Sequence, residues 1–236
     1  MQVATEGIVL HKTKYSESSV IAQIFTREAG VQSFIVKGAF SKKNKGVLAL
    51  LESLSVVEIK YEDRNQSIKF LQDISLGYAY SLIPFDMVRR TILIFYNEFI
   101  YKLLREYRAD AALFDFIKKS LLELDHPDAV TTDIHLHFLV DLAKMMGFAP
   151  TDNYSPYNCH FFIDEATFIH DYLDNPLFLS QEASVYLNQL MHKENEAPIP
   201  PKRVRNELLE GLILYFEKHN EQIRKIDSVA ILAQLM

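Results

Sequence analysis

The hydrophobic pattern of the chain changes its period near Pro84, and this change limits the possible folds more than any other feature. Up to Leu82, short runs rich in Val, Ile, Phe and Tyr alternate partly with polar residues, the pattern of half-buried strands. After Pro84, apolar residues recur every three or four positions, the spacing of amphipathic helices. The sequence therefore predicts an α+β protein with a strand domain over 1–82 and an all-helical domain over 83–236.

The first domain contains five runs that read as strands, and polar turns separate them. The runs are EGIVLHKTKY, SSVIAQIFT, VQSFIVKGA, LLESLSVVEIKY and SIKFLQDISL. The turn REAG ends in Gly30, which can adopt the positive φ that such a turn needs. Five short strands in a domain of this size are typical of the OB-fold, a partly open five-stranded barrel.

The helical domain is interrupted once. Three helical segments follow Pro84, and Gly147 stands where the third should end. The stretch 149–179 is rich in Pro and Asn and has no helical period, so we expect an irregular insert there. Helices resume near Ser180, and the pair Pro200 and Pro201 marks the start of another one.

The composition is that of a folded, non-membrane protein. Hydrophobic residues make up 49% and charged residues 24%, and no run reaches the roughly 18 apolar residues of a membrane span. The N-terminal residues do not read as a signal peptide, so we expect a cytoplasmic protein. The single cysteine, Cys159, can form neither an internal disulfide nor a thiolate zinc site by itself.

Charge is distributed unevenly along the chain. The first 82 residues carry ten Lys and Arg against eight Asp and Glu, whereas the rest carries fifteen against twenty-three. The first domain is thus slightly basic within a chain of net charge -6. Such asymmetry predicts that the two parts attract different partners.

A lysine-rich stretch, VKGAFSKKNKG over 36–46, has no acidic residue and lies between two predicted strands. It holds Lys37, Lys42, Lys43 and Lys45. Three lysines on neighbouring strands extend it: Lys12, Lys14 and Lys69. Aromatic residues are interleaved with these lysines, and cations combined with flat rings are typical of proteins that bind single-stranded nucleic acid. We expect Phe40 to stack on bases, and we assign the other rings, Tyr15, Phe34 and Phe70, to the core. A merely solvated loop is the alternative.

The sequence shows no catalytic motif. It contains no G-x-x-x-x-G-K-[ST], no G-x-G-x-x-G and no G-x-S-x-G. His135 and His137 are two positions apart and point to opposite sides of a helix, so they cannot share a metal ion. Cys159 and His160 have no second cysteine at ligand spacing. We therefore predict no enzyme activity, no cofactor and no metal.

The helical domain places cations beside apolar helix faces. The candidates are Arg89, Arg90, Lys118 and Lys119. Such a surface suits a short peptide that is both acidic and hydrophobic. An ordinary solvated helix surface is the alternative.

Several ordered motifs resemble one known family. The string GIVLHKTKYSESSVIAQIFTREAGVQSFIVKGAFSKKNKG is similar to the N-terminal domain of the bacterial recombination mediator family RecO. The similarity continues more weakly in DLAKMMGFAP and in YFEKHNEQIRKIDSVAILAQL. It thus covers nearly the whole chain. Many members carry a four-cysteine zinc site in the region of the insert, whereas this chain has only Cys159 there. We therefore expect the packing of aromatic residues to hold the insert. The candidates are Phe161, Phe162, Phe168 and Tyr172.

This resemblance implies a non-enzymatic DNA repair protein of the bacterial cytoplasm and nucleoid. Such proteins bind single- and double-stranded DNA through the OB domain and anneal complementary strands. They engage the acidic C-terminal tail of single-strand-binding protein, and with RecR they help to load RecA. The lysine-rich stretch would then be the DNA site, and the helical cations the tail site. The alternative is an OB-fold adaptor that binds protein or RNA and has no role on DNA.

Overall fold

The structure is a computed structural model that describes residues 2–41, 46–63, 66–105, 107–193 and 198–235. Contacts within the chain divide it into two compact units, Met1–Pro127 and Asp128–Met236. The first unit contains the predicted strand domain together with two helices, and the second contains the remaining helices and the insert. The packing division therefore lies some 45 residues beyond the change of period near Pro84.

Five strands form a closed barrel in the first unit. They are β1 (Gln2–Lys14), β2 (Val20–Thr26), β3 (Gly30–Val36), β4 (Val56–Glu62) and β5 (Ile68–Leu76). The order around the barrel is β1-β2-β3-β5-β4, and β4 pairs back onto β1. Every pair is antiparallel except the short parallel seam between β3 and β5. This confirms the predicted OB-like barrel, which is closed rather than partly open.

The fourth strand begins later than the sequence predicts. A short helix, α1 (Val47–Leu50), ends at the first residue of the run LLESLSVVEIKY, and turns follow it, so the run is strand only from Val56 onward. Leu51 and Leu54 are both fully buried, and Leu54 has a φ of +60°. Leu51, directly after α1, belongs to the barrel core, and the chain extends again at Val56.

Two capped helices complete the first unit. Helix α2 (Met87–Leu103) begins at Asp86, which accepts hydrogen bonds from the backbone N–H of Val88 and Arg89. Helix α3 (Ala111–Leu124) begins at Asp110, which caps Leu113 N–H at 2.9 Å. Both helices follow Pro84, as the helical spacing of the apolar residues predicts.

Helix α3 packs directly on the barrel. The rings of Phe25 in β2 and Phe114 in α3 are buried with centroids 5.6 Å apart. Beside them, Arg27 donates two hydrogen bonds to the Asp115 carboxylate, at 2.9 and 2.8 Å. These bonds hold the pKa of Asp115 below its usual value. Apolar packing and a bidentate ion pair thus fix the same contact.

Asp125, just after α3, anchors the segment that leaves the barrel. Its buried carboxylate accepts hydrogen bonds from the backbone N–H groups of Ser81, Leu82 and Ile83 at 2.8–2.9 Å, and from the Tyr78 hydroxyl at 3.2 Å. Burial alone raises the pKa of Asp125, but these bonds outweigh it and the pKa is lowered. The segment 78–83 is therefore tied to the end of α3, within the first unit.

Gly30 allows a close approach that no other residue permits. Its φ is +70°, and a Cβ here would lie 2.5 Å from backbone atoms of Tyr107 and Arg108. The adjacent Val31 N–H donates a hydrogen bond to the Tyr107 carbonyl at 3.1 Å. A side chain at position 30 must therefore separate the β2–β3 turn from the connection between α2 and α3.

We predict that Gly30→Ala lowers the free energy of unfolding by at least about 1 kcal/mol more than Gly147→Ala does. Gly147 also has a positive φ, of +82°, but a Cβ there has no neighbour within 4 Å, so the difference isolates the steric clash. Gly46→Ala, with φ of -88° and open space around it, should be nearly neutral. Urea denaturation of the three variants measures these differences, and equal losses for Gly30→Ala and Gly147→Ala would contradict the close approach.

The second unit is helical and carries one small hairpin. Its elements are α4 (Ile134–Met145), β6 (His160–Phe162), β7 (Thr167–Ile169), α5 (Gln181–His192), α6 (Lys202–His219) and α7 (Ser228–Leu235). Gly147 follows the end of α4, Ser180 caps α5 by accepting the Ala183 N–H, and Pro201 is the N-cap of α6. The predicted helix boundaries at these three positions are confirmed.

Aromatic packing holds much of the insert in place. Phe161 and Phe168 face each other across the β6–β7 hairpin, both buried, with ring centroids 5.1 Å apart. Phe162 is half-buried and stacks on Phe178 at 4.7 Å. Tyr172 is exposed. Its ring nonetheless packs against those of His160, at 4.7 Å, and Phe178, at 6.2 Å. All four predicted aromatic residues thus take part in packing within the insert, with Tyr172 at its surface.

Candidate nucleic-acid interface

One end of the barrel gathers exposed lysines and rings. At this end β1 finishes at Lys14, which pairs with Val20 at the start of β2, and Val20 pairs with Val36 at the end of β3. In the parallel seam Phe70 lies beside Ile35. The register therefore brings together five residues that we call the basic-aromatic rim: Lys14, Tyr15, Lys37, Phe40 and Phe70.

Each exposed lysine of the rim lies over a ring. The Nζ atom of Lys37 is 4.5 Å from the ring centroid of Phe70, and that of Lys14 is 5.7 Å from the ring centroid of Phe40. Tyr15, Phe40 and Phe70 expose 62%, 46% and 40% of their surface. Two cation–ring pairs thus stand in solvent at the same end of the barrel.

Tight turns fix this arrangement. Gly38 takes a φ of +65°, and its carbonyl accepts a hydrogen bond from Ser41 N–H at 2.9 Å, so the chain reverses directly after Lys37 and presents Phe40. On the neighbouring side, the N–H groups of Tyr15 and Ser16 both donate to the Ser19 carbonyl, at 3.0 and 3.1 Å. Both turns hold their side chains outside the barrel.

The expectation that Tyr15 and Phe70 belong to the core is wrong, whereas Phe34 is fully buried as predicted. Tyr15 lies in the turn after β1, beyond the strand that would have directed it inward. In β5 the alternation is the reverse of the usual one: Lys69 is buried and Phe70 is exposed. The sequence gives no signal of this, because Phe70 shares its parity in β5 with Ile68, Ile74 and Leu76, which together read as a core-facing set.

Two of the predicted lysines are held by carboxylates. Lys69 is buried, with its Nζ 2.6 Å from Asp63 and 5.7 Å from the Tyr61 ring centroid. Lys12 makes an ion pair with Glu52 at 2.5 Å. Neither presents an uncompensated cation to solvent in the way that the rim lysines do. The remaining predicted lysines, Lys42, Lys43 and Lys45, lie outside the described residues.

The location of the rim agrees with how small barrels of this type bind chains. OB-folds bind oligonucleotides through the face of strands 2 and 3 and through the loops that join strands 1 to 2 and 4 to 5. Tyr15 lies in the first of these loops, and Phe70 lies near the start of the strand that follows the second. One acidic side chain, Glu17, is exposed in the first loop. The rim can bind by charge and by stacking.

The helical cations do not form one exposed surface. Arg89 is buried, and its guanidinium donates hydrogen bonds to the carbonyls of Leu124 and His126, the latter at 2.9 Å. It therefore caps the C-terminal end of α3. Arg90, the next residue, is exposed.

A shallow groove of about 390 Å³ runs along α3. Lys118 pairs with Glu6 of the barrel, while Lys119 is largely exposed and lies 3.4 Å from Glu123. The residues lining the groove are Asp115, Lys118, Lys119, Leu122, Glu123 and His126. The buried Arg89 is thus not part of an exposed cationic surface. Leu122 and His126 do line the groove, but the sequence did not predict them, because only the fold shows that they face it.

The described part of the chain contains neither a membrane-spanning helix nor a cluster of metal ligands. Over those residues, no helix has the length and apolar character that crossing a bilayer requires. Within the same ranges, no three His, Cys, Asp or Glu side chains are placed to hold a metal ion. His135 is buried in α4, and Cys159 is half-buried in the insert.

Comparison with known proteins agrees with the division into a strand part and a helical part. The family model described as "Recombination protein O N terminal" matches residues 1–80, and "Recombination protein O C terminal" matches residues 84–225. The chain is 29% identical to the DNA repair protein RecO of Phocaeicola vulgatus over 98% of both chains. It is 27% identical to that of Flavobacterium psychrophilum over 100% of this chain and 99% of the relative. It is 35% identical to that of Porphyromonas gingivalis over 64% of this chain and 62% of the relative. The two family models together span both parts of the molecule, and the chain belongs to the Recombination protein O family.

Proposed function

We propose that this chain is a DNA repair and homologous recombination mediator that acts by binding and not by catalysis. It binds single- and double-stranded DNA, anneals complementary strands and, with RecR and single-strand-binding protein, helps to load RecA in the bacterial cytoplasm and nucleoid. The repair role is supported by the family and by relatives named DNA repair protein RecO. The observation that supports DNA binding most directly is the pairing of Lys14 with Phe40 and of Lys37 with Phe70 on the rim.

The rim suits a strand whose phosphates and bases both need partners. Lysines neutralise phosphates and release counterions, while exposed rings stack on bases of any identity. Because neither contact reads a base edge, two complementary strands can be held without sequence preference. Neutralised strands repel each other less and pair faster, so annealing requires no chemical step.

The lysine loop should account for much of the phosphate contact. We predict that a variant with Lys42→Ala, Lys43→Ala and Lys45→Ala reduces the salt slope of single-strand binding by about 2, because each lost phosphate contact removes about 0.7. Fluorescence anisotropy of a labelled oligonucleotide across a salt titration measures the slope.

A control variant removes the same charge elsewhere. Lys60, Lys144 and Lys218 lie beside Asp73, Asp141 and Asp164 respectively, and their joint replacement by Ala should leave the slope unchanged. An unchanged slope in the loop variant would exclude the loop as the site. If the wild-type chain binds RNA or protein but no DNA at low salt, the adaptor function replaces the mediator function.

The α3 groove is the proposed site for the acidic tail of single-strand-binding protein. Its cations, Lys118 and Lys119, flank the half-buried Leu122, so an acidic peptide with an apolar side chain meets both kinds of contact. The exposed Arg90 on α2 remains a proposed contact. Arg89 acts instead through its hydrogen bonds to the end of α3.

We predict that Arg90→Glu combined with Lys119→Glu weakens binding of the labelled tail peptide at least about tenfold, since two attractive contacts become repulsive. The same charge change made at Lys14 and Lys60 on the barrel should leave peptide binding within about twofold of wild type. Anisotropy of the peptide gives both values. Binding that survives the reversal at Arg90 and Lys119 would remove this surface from the proposal.

A further inference from the structure

The insert presents two ring pairs at the open end of its hairpin, and three of their four rings are exposed. His160 pairs with Ile169 at this end of the β6–β7 hairpin, and the chain continues from Ile169 into His170. Tyr157 stacks on His170 with ring centroids 4.2 Å apart and an interplanar angle of 5°. Tyr172 packs against His160 at 4.7 Å. Both pairs thus belong to one edge, because the hairpin register joins them.

This edge leaves large apolar groups in solvent. Tyr157, Tyr172 and Leu173 expose 67%, 45% and 60% of their surface. The opposite face of the hairpin, with Phe161 and Phe168, is buried in the second unit. Contiguous exposed aromatic and aliphatic groups of this kind mark surfaces that contact another molecule. We call Tyr157, His170, Asp171, Tyr172, Leu173 and Asp174 the insert edge.

The charge of the insert selects what can bind there. Residues 149–179 contain five Asp and Glu and no Lys or Arg. Asp152 lies 3.3 Å from His192, and Asp164 pairs with Lys218 at 2.9 Å. Asp171 and Asp174 are exposed, and neither makes an ion pair with a described residue. Two uncompensated carboxylates therefore flank the exposed Tyr172 and Leu173.

We propose that the insert edge is a docking surface for a basic segment of a partner protein. A nucleic acid strand would bring phosphates against Asp171 and Asp174, so the carboxylates oppose the ligand that the rim attracts. A segment with Lys or Arg and apolar residues satisfies both features. Its ammonium or guanidinium groups meet the carboxylates and the tyrosine faces, while its apolar side chains cover Leu173.

The second unit as a whole favours the same class of partner. Residues 128–236 contain sixteen Asp and Glu against eight Lys and Arg, whereas residues 1–127 contain fifteen against seventeen. A basic partner is therefore steered toward the second unit over a distance of about one Debye length, and the aromatic pairs fix where it binds. DNA and the basic segment then occupy different units of the molecule.

The test uses the full chain and a fluorescein-labelled 12-residue peptide of alternating Lys and Leu. Anisotropy at 100 mM salt should show binding to the wild-type chain that weakens at least about fivefold in the variant Asp171→Asn, Asp174→Asn. It should weaken by a similar factor in Tyr172→Ser, Leu173→Ser, whose net charge is unchanged. A peptide of alternating Glu and Leu can use the α3 groove instead, so any binding it shows should be unaffected by both edge variants.

A matched control variant distinguishes binding at the insert edge from attraction by the overall negative charge of the second unit. Glu210 and Glu221 are exposed acids of the same unit, and Glu210→Gln with Glu221→Gln should stay within about twofold of wild type. Equal weakening in this control, or no weakening in the Tyr172 and Leu173 variant, would overturn the proposal, because binding would then follow net charge alone. A parallel titration with a 20-nucleotide oligo-dT should be unaffected by both edge variants; a loss there would make the edge a nucleic-acid surface instead.

Discussion

Replacing Phe40 and Phe70 by Ala is expected to weaken the binding of single-stranded DNA at least about 30-fold while leaving its salt slope unchanged. Stacking of a base on an aromatic ring contributes about 1–3 kcal/mol, and two rings at the lower value amount to roughly this factor. The slope stays constant because no phosphate contact is lost. Both rings are substantially exposed, so their removal disturbs the barrel core little.

Replacing the lysines of the two cation–ring pairs, in contrast, should change the salt slope of DNA binding. Lys14→Ala with Lys37→Ala is expected to lower the salt slope by about 1.4, the value for two phosphates on a single strand. Because each lysine lies over a ring, its loss also frees the ring face, and stacking is preserved. The two variants thus separate the charge contribution from the stacking contribution within one small surface.

Two controls complete this experiment. Lys12→Gln removes a barrel lysine that is already paired with Glu52, so the slope should remain at the wild-type value. Binding of duplex DNA should be nearly insensitive to the Phe40 and Phe70 variant, because bases in a duplex are already stacked on each other. If the ring variant lowers the slope, or if it weakens duplex and single strand equally, the rings do not stack on bases and the rim is an electrostatic surface only.

The sequence predicted the architecture well because the period of its apolar residues is a local property. Period two up to Leu82 and helical spacing beyond Pro84 each follow from which face of an element is buried, and the structure has strands and helices accordingly. The exception is instructive. The run from Leu50 reads as strand by composition, yet its first residues form the end of α1 and a turn, with Leu51 and Leu54 fully buried, and the strand begins only at Val56.

The candidate sites were harder to predict from the sequence than the fold, because they depend on which charged side chains pair with each other in the folded chain. Lys12, Lys69 and Arg89 look like surface cations in a sequence, but they lie beside Glu52, Asp63 and the carbonyls that end α3, respectively. Those partners are up to 40 residues away along the chain, so spacing alone does not reveal them. The rim shows the converse: Tyr15 and Phe70 have core-like side chains. Only the structure, which places Tyr15 in a turn and Phe70 on the outer face of β5, shows that they are exposed.

The second large expected effect is a loss of stability at acidic pH. We expect the second unit to lose about 3 kcal/mol of unfolding free energy between pH 7.5 and pH 4 through His135 alone, about 2 kcal/mol of it by pH 5. Burial of this imidazole in α4 lowers its pKa from 6.5 to about 4. Asp133 opposes the shift, whereas Arg205 and His137 add to it.

The direction follows from where the proton binds. Well above pH 6.5, His135 is neutral in both states and the pH has no effect through it. Between pH 6.5 and about 4, the unfolded chain binds a proton that the folded chain does not, so acid favours unfolding. Asp133, whose pKa is lowered by bonds from His137 and Tyr186 that outweigh its burial, is destabilising in the same direction when it is protonated at still lower pH.

His135→Leu should therefore remove most of this acid sensitivity, whatever it does to the stability at pH 7.5, because leucine cannot take up the proton. Urea midpoints followed by circular dichroism at 222 nm at pH 7.5 and pH 5.0 give the two free energies, and their difference should shrink by about 2 kcal/mol relative to wild type. His170→Gln changes an exposed imidazole of the same unit and should leave the difference as it is in wild type. If His135→Leu and wild type lose the same free energy on acidification, His135 is protonated in the folded chain and its burial does not control the response to acid.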